Sequence, residues 1–287
     1  MAQEFARLRA VPGIKTRGDD LLQRAIAALS RQHPEEAERI AGEILKREPS
    51  HAQALHIFAH ALLMQRRCHE VIAVLEPAAR SHHDPQLQTQ LAIALRQAGR
   101  PEEALSWLQR AAKRRPPYVP ALFELGCLLS SMKRYDKAAE ALSRCVEIAP
   151  MMPEPAIQLG HVFLALRRCA SAKAAFFKAL ESSQASALGA LWGMGKAHQM
   201  LGEHRAAIEY FRRYLTTMPN DMGVWLNLGH CLIEVGELDE GYECFRKAAR
   251  ADQKGYSAAL TTFVKSARGR FWLRPSASKR FLNGQNG

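Results

Sequence analysis

Apolar residues in this chain recur at spacings of three and four, in paired blocks broken by a glycine or a polar turn, which predicts pairs of amphipathic α-helices. In residues 222–255, Trp225, Leu228 and Leu232 share one helical face, Gly236 marks a turn, and Phe245 and Ala248 resume the pattern. Residues 188–221 repeat the plan with Met194-Gly195, Gly202 at the turn, Ala207, Phe211 and a closing Pro219. A glycine between blocks suits a helix C-terminus, and a late proline stops the second helix.

The blocks obey one period. Gly126, Gly160, Gly195 and Gly229 follow one another at 34, 35 and 34 residues, with Ala59 and Ala92 extending the column upstream. Twelve residues after each small residue from Ala92 onward comes a second: Ala104, Ala138, Ala172, Ala207 and finally Gly241. Prolines fall near the ends of several blocks, at Pro49, Pro116, Pro150 and Pro219. Columns that share a period are the signature of a repeat architecture.

On these residues the chain resembles the tetratricopeptide-repeat family, whose pattern places Leu-Gly at repeat positions 7–8, Ala at 20, an aromatic at 24, Ala at 27 and Pro at 32. The resemblance covers residues 18–255 in seven units: 18–51, 52–84, 85–118, 119–152, 153–187, 188–221 and 222–255. The first two are degenerate, with Arg24-Ala25 where Leu-Gly is usual. The resemblance implies an all-α, right-handed superhelical solenoid of helix-turn-helix repeats. No repeat can cover its own apolar face, so neighbours stack to bury a continuous core. Residues 256–272 carry the spacing of a capping helix. Segment 1–17 is expected to be flexible and segment 273–287 to be a disordered basic tail.

Charge refines this picture. The net charge is +12, of which residues 1–17 carry +3 and residues 265–287 carry +6, so only three net charges fall on residues 18–264. The basic character therefore belongs mainly to the ends. No apolar run approaches the roughly 20 residues of a membrane span, and the basic N-terminus has no apolar stretch after it, so a cytoplasmic location is expected. The six cysteines (Cys68, Cys127, Cys145, Cys169, Cys231, Cys244) form no Cys-x-x-Cys pair and read as small core residues.

Catalytic chemistry is not expected. The flanks of the repeats are too short to bury a core of their own, and the sequence has no Walker-A loop, dinucleotide fingerprint or nucleophile elbow. Neither catalytic residues, nor a cofactor, nor a metal is therefore expected. His56 and His60 have the four-residue helical spacing of a metal pair, but no third ligand accompanies them. The pairs Glu35-Glu36 and Glu102-Glu103 open second helices, where they complement the helix dipole.

The resemblance implies that first helices line a concave, partner-binding groove through repeat positions 2, 5, 6, 9, 12 and 13. Those positions hold His56 and His60 in the second unit, then Gln86, Gln90 and Arg96, then Phe123 and Glu124. Downstream they hold Gln158 and His161, then Trp192, Lys196 and Gln199, then Asn227 and His230. Position 6 runs Gln90, Glu124, Gln158, Gly193, Asn227. A row of amides could match the backbone of an extended peptide, or it could simply keep the groove soluble. Some family members clamp chaperone C-termini with Lys and Asn at positions 5 and 9. Here those places hold Leu22 and Ile26, His56 and His60, or Ile157 and His161, so that ligand is not expected.

The expected function is a scaffold for a protein or peptide partner. A competing reading places nucleic acid or another anionic surface on the tail cations Arg268, Arg270, Arg274, Lys279 and Arg280, interleaved with Phe271 and Trp272. Against that, Phe271, Trp272 and Leu273 could pack on the last repeat while the arginines stay solvated. A third reading is an accessory subunit that positions substrate for a separate enzyme.

Overall fold

Amphipathic blocks this short cannot hold as isolated helices, so their stability has to come from packing against one another. The computed structural model describes residues 17–81, 83–182, 187–249 and 261, and among them fourteen numbered helices and no strand. The segments expected to be a flexible N-terminus, a capping helix and a basic tail (with Arg268, Arg270, Arg274, Lys279 and Arg280) lie outside the described residues, except that Arg17 and Thr261 are helical. No described helix is long and apolar enough to cross a membrane.

The chain divides into two compact units, Met1–Arg134 and Tyr135–Gly287. The first contains α1 (Arg17–Ser30), α2 (Pro34–Arg47), α3 (Ala52–Met64), α4 (Cys68–Ser81), α5 (Pro85–Gln97), α6 (Pro101–Ala112) and α7 (Val119–Ser131). Each of these packs on the next, and the alternate helices α1, α3, α5 and α7 also touch in sequence, giving a continuous face of first helices. The second unit contains α8 (Tyr135–Ile148), α9 (Pro153–Ala165), α10 (Cys169–Ser182), α11 (Ala187–Met200), α12 (His204–Thr217), α13 (Met222–Val235) and α14 (Leu238–Ala249). The same rule holds there, with α9, α11 and α13 in contact.

Helix ends follow local chemistry. Proline occupies the first helical turn of α2, α5, α6, α7 and α9, where its missing N–H would have no partner anyway. Asp84 caps α5 and Asp221 caps α13 by accepting backbone N–H bonds from Gln86 and Val224. The turn inside each helix pair uses one residue at positive φ: Gln32, Arg66, Gly99, Lys133, Arg167, Gly202 and Gly236. The N–H after it reaches back to a helical carbonyl, as Arg100 does to Leu95 and Glu237 to Leu232.

The core explains the columns of small residues. Ala104, Ala138, Ala172 and Ala207 are wholly buried, as are Ala92 and the glycines of the other column. In the second unit each of Gly160, Gly195 and Gly229 lies against a phenyl ring (Phe176, Phe211 and Phe245), all three 0% exposed. In the first unit Ala59 and Ala92 stand where these glycines stand, and Leu75 and Leu108 stand where the phenyl rings do. Volume lost at one position is thus recovered at the other, as close packing requires.

Candidate functional site

In the first unit the predicted groove residues on α3 and α5 form a network. The His56 ring meets Asp84 Oδ2 through Nε2 at 2.9 Å and Gln90 Oε1 through Nδ1 at 3.1 Å, while the Gln90 amide donates to the His56 carbonyl at 3.2 Å. Gln90 is only 9% exposed, so its amide is engaged inside the stack. Gln86 is half-buried beside it, with its backbone N–H on Asp84. His60, one turn along from His56, is also half-buried. Arg96 donates to Glu124 at 3.1 Å. Burial pushes the Glu124 carboxyl up despite Arg96, and burial likewise pushes the nearby Cys127 thiol up to about 11. Phe123 is half-buried on the same helix, α7.

Asp84, absent from the predicted set, holds this network together. Burial works against its charge, but hydrogen bonds from His56 and from the Gln86 N–H outweigh it and keep its pKa below the ordinary aspartate value. The stability this contributes is fully present above the unfolded pKa, about 4, and is lost as pH falls through the depressed folded value. Asp84→Ala removes a helix cap and strands the His56 ring, so it should cost about 2–3 kcal/mol in urea unfolding at neutral pH. It should also flatten the acid-induced loss of stability, and an unchanged acid slope would refute the assignment.

In the second unit the predicted residues gather into two neighbouring groups. His161 on α9 sits edge-on to Phe176 at 5.2 Å between ring centroids and tilts against Trp192 of α11 at 5.4 Å. Burial depresses the His161 pKa, favouring its neutral form. Trp192 and Gln158 both remain half-buried, and Gln158 forms no hydrogen bond to a described residue. Gly193 interrupts the amide row because a Cβ there would lie 2.3 Å from the Phe176 ring. Beyond it, Lys196 Nζ donates to Gln199 Oε1 at 2.9 Å and to Asn227 Oδ1 at 3.3 Å, and the Gln199 amide lies 3.4 Å from His230 Nδ1. Burial lowers the pKa of both Lys196 and His230.

Repeat profiles described as tetratricopeptide repeat match residues 58–120, 95–159, 157–223 and 200–262, well over half the chain. The chain belongs to the tetratricopeptide-repeat family. Solved structures with the same repeat fold include a MamA protein, 20% identical over 67% of this chain and 98% of that one, with a TM-score of 0.53. Residues 41 to the end of MamA from Desulfovibrio magneticus RS-1 are 18% identical over 62% of this chain and 96% of that one, at 0.53. The Cut9–Hcn1 hetero-tetramer of APC/C contains a chain 15% identical over 86% of this one, at 0.61, of which this chain spans 52%. No curated protein sequence matches. These likenesses establish the tetratricopeptide fold of helix pairs.

The structure also places together residues that position-by-position reasoning passed over. Phe176 underlies both His161 and Gly193. His204, at the start of α12, comes within ligand range of His230 and Cys231 on α13. It stands at the head of a second helix, 26 residues before His230, where the groove positions of first helices do not point to it. The adjacent pair His230-Cys231 was the visible signal.

Proposed function

We propose that this tetratricopeptide-repeat chain is a non-enzymatic scaffold that holds an extended peptide segment of a protein partner on the first-helix face of its second unit. The observation that carries this reading is Trp192, half-exposed and seated on His161. A rigid, partly apolar ring of this kind commonly anchors an interface. Beside it, Gln158 offers an amide that forms no hydrogen bond to a described residue. The neighbouring Lys196–Asn227 pair adds a polar edge that can meet a peptide carbonyl or side chain.

The test is selection of binders from a displayed library of random peptides against the purified chain. Trp192→Ala should weaken the selected peptides roughly 30-fold or more, the effect of losing about 2 kcal/mol at an aromatic anchor. Gln158→Ala should weaken them less, and the helical circular-dichroism signal should not change in either variant. Peptides that bind the wild type and Trp192→Ala equally would remove this face from consideration.

A further inference from the structure

We propose that His204, His230 and Cys231 form a zinc-type divalent cation site that ties the start of α12 to the middle of α13. One ligand atom from each of the three lies within 4.8 Å of the others. An ion centred among three atoms at that limiting separation would sit about 2.8 Å from each, so shifts of roughly half an ångström to an ångström reach the usual Zn–N and Zn–S distances. The two imidazole centroids are 5.9 Å apart and tilted, so the rings face one another across the site without stacking.

Two further observations point to a ligand. His204 Nδ1 is buried and has no hydrogen-bond partner among the described residues, an arrangement that protein interiors rarely leave standing. His204 also lines an open pocket of about 570 Å³ together with Gly202, Glu203, Arg205 and Glu234, which gives an ion a route from solvent. Glu234 follows His230 by one helical turn, so its carboxylate or a water at the pocket mouth can complete a tetrahedron. Two cations oppose the ion: Arg205, which lines the pocket, and Lys196, whose ammonium is engaged by Gln199 and Asn227.

Two imidazoles and one thiolate make a borderline-soft donor set that suits Zn²⁺ and excludes Mg²⁺ or Ca²⁺. On binding, the Cys231 thiol passes its proton to solvent as the Zn–S bond forms, and the two histidines bind as neutral imidazoles. With His230 bound through Nε2, Nδ1 carries the ring proton, and the Gln199 amide 3.4 Å away has to turn its oxygen to accept it. The ion would fasten consecutive helices of the second unit, independently of whether the first-helix face holds a peptide.

The test uses the full chain stripped with a chelator, then titrated with Zn²⁺ by calorimetry and with Co²⁺ by absorption spectroscopy. The wild type should bind one equivalent, raise its melting temperature with Zn²⁺, and show a thiolate-to-cobalt charge-transfer band. Cys231→Ser should lose the band, and His204→Gln, a change at a half-buried helix start, should weaken binding at least 100-fold while the fold is retained. His69→Gln, on the exposed side of α4, should leave the titration unchanged. Cobalt bound without the thiolate band, or equal zinc affinity in wild type and His204→Gln, would overturn the site.

Discussion

Phe176→Ala should destabilise the second unit by about 4 kcal/mol, the middle of the range for deleting a buried phenyl ring. Phe176 is 0% exposed, and its ring stands where a Cβ at Gly160 or Gly193 would come within 2.5 or 2.3 Å. Those neighbours have no side chains with which to fill the space left behind, so the cavity cannot collapse locally. The loss is shared by α9, α10 and α11, because the ring belongs to one repeat and underlies the next. Urea unfolding followed by circular dichroism would measure it. A loss below about 1.5 kcal/mol would mean that the helices close over the gap, contrary to the packing argument.

The same substitution bears on the candidate peptide face. His161 packs edge-to-face with Phe176 and tilts against Trp192, so the anchor is linked to a core residue through one ring. A weakened Phe176→Ala chain that still holds peptide normally would show that Trp192 needs no such support. Stability and binding are therefore to be read from the same variant, with peptide affinity measured well below the unfolding concentration of urea.

Much of this architecture is legible in the sequence because it depends on a single column of small residues. The recurrence of Gly126, Gly160, Gly195 and Gly229 at 34 or 35 residues records where two helices approach closely: a Cβ at Gly160 or Gly195 would meet a phenyl ring at 2.5 Å, and one at Gly229 would meet the Gly241 carbonyl oxygen at 3.0 Å. The turns are only partly legible. Gly99, Gly202 and Gly236 announce positive φ, but Gln32, Arg66, Lys133 and Arg167 adopt the same conformation with no glycine to signal it. A β-carbon there costs roughly 1–2 kcal/mol, which repeat packing overrides.

The candidate face divides in the same way. Repeat position alone named His161, Trp192, Lys196 and Asn227 as candidates, because position fixes which way a first-helix side chain projects. It could not say that Gln90 would be drawn to His56, 34 residues away, whose ring also meets Asp84. Nor could it say why Gly193 breaks the amide row, since the cause is a phenyl ring from the preceding repeat. Contacts between repeats depend on pairs of residues whose types carry no mutual signal in one sequence.

Gly229→Val should cost about 3 kcal/mol and should loosen α13 and α14 before the rest of the second unit. A Cβ at Gly229 would lie 3.0 Å from the Gly241 carbonyl oxygen and 3.1 Å from Cys244 Cβ, and the added methyls come closer still. At Gly193 the obstacle is a phenyl ring that can rotate or shift, whereas at Gly229 it is the backbone of α14. That backbone has no room to retreat, because a Cβ at Gly241 would already sit 2.7 Å from Ile233 Cγ1 and 3.1 Å from the Gly229 carbonyl oxygen. Relief therefore requires the two helices to separate, which exposes Phe245 and the rest of the last repeat's core. Amide hydrogen exchange is the measurement that resolves this. Protection should fall in residues 222–249 while α9 and α10 keep theirs, as expected of a repeat array with nearest-neighbour coupling. Uniform loss across the second unit would show that its repeats unfold as one block. Unchanged protection would show that α13 and α14 are not held by the close contact of their two glycines.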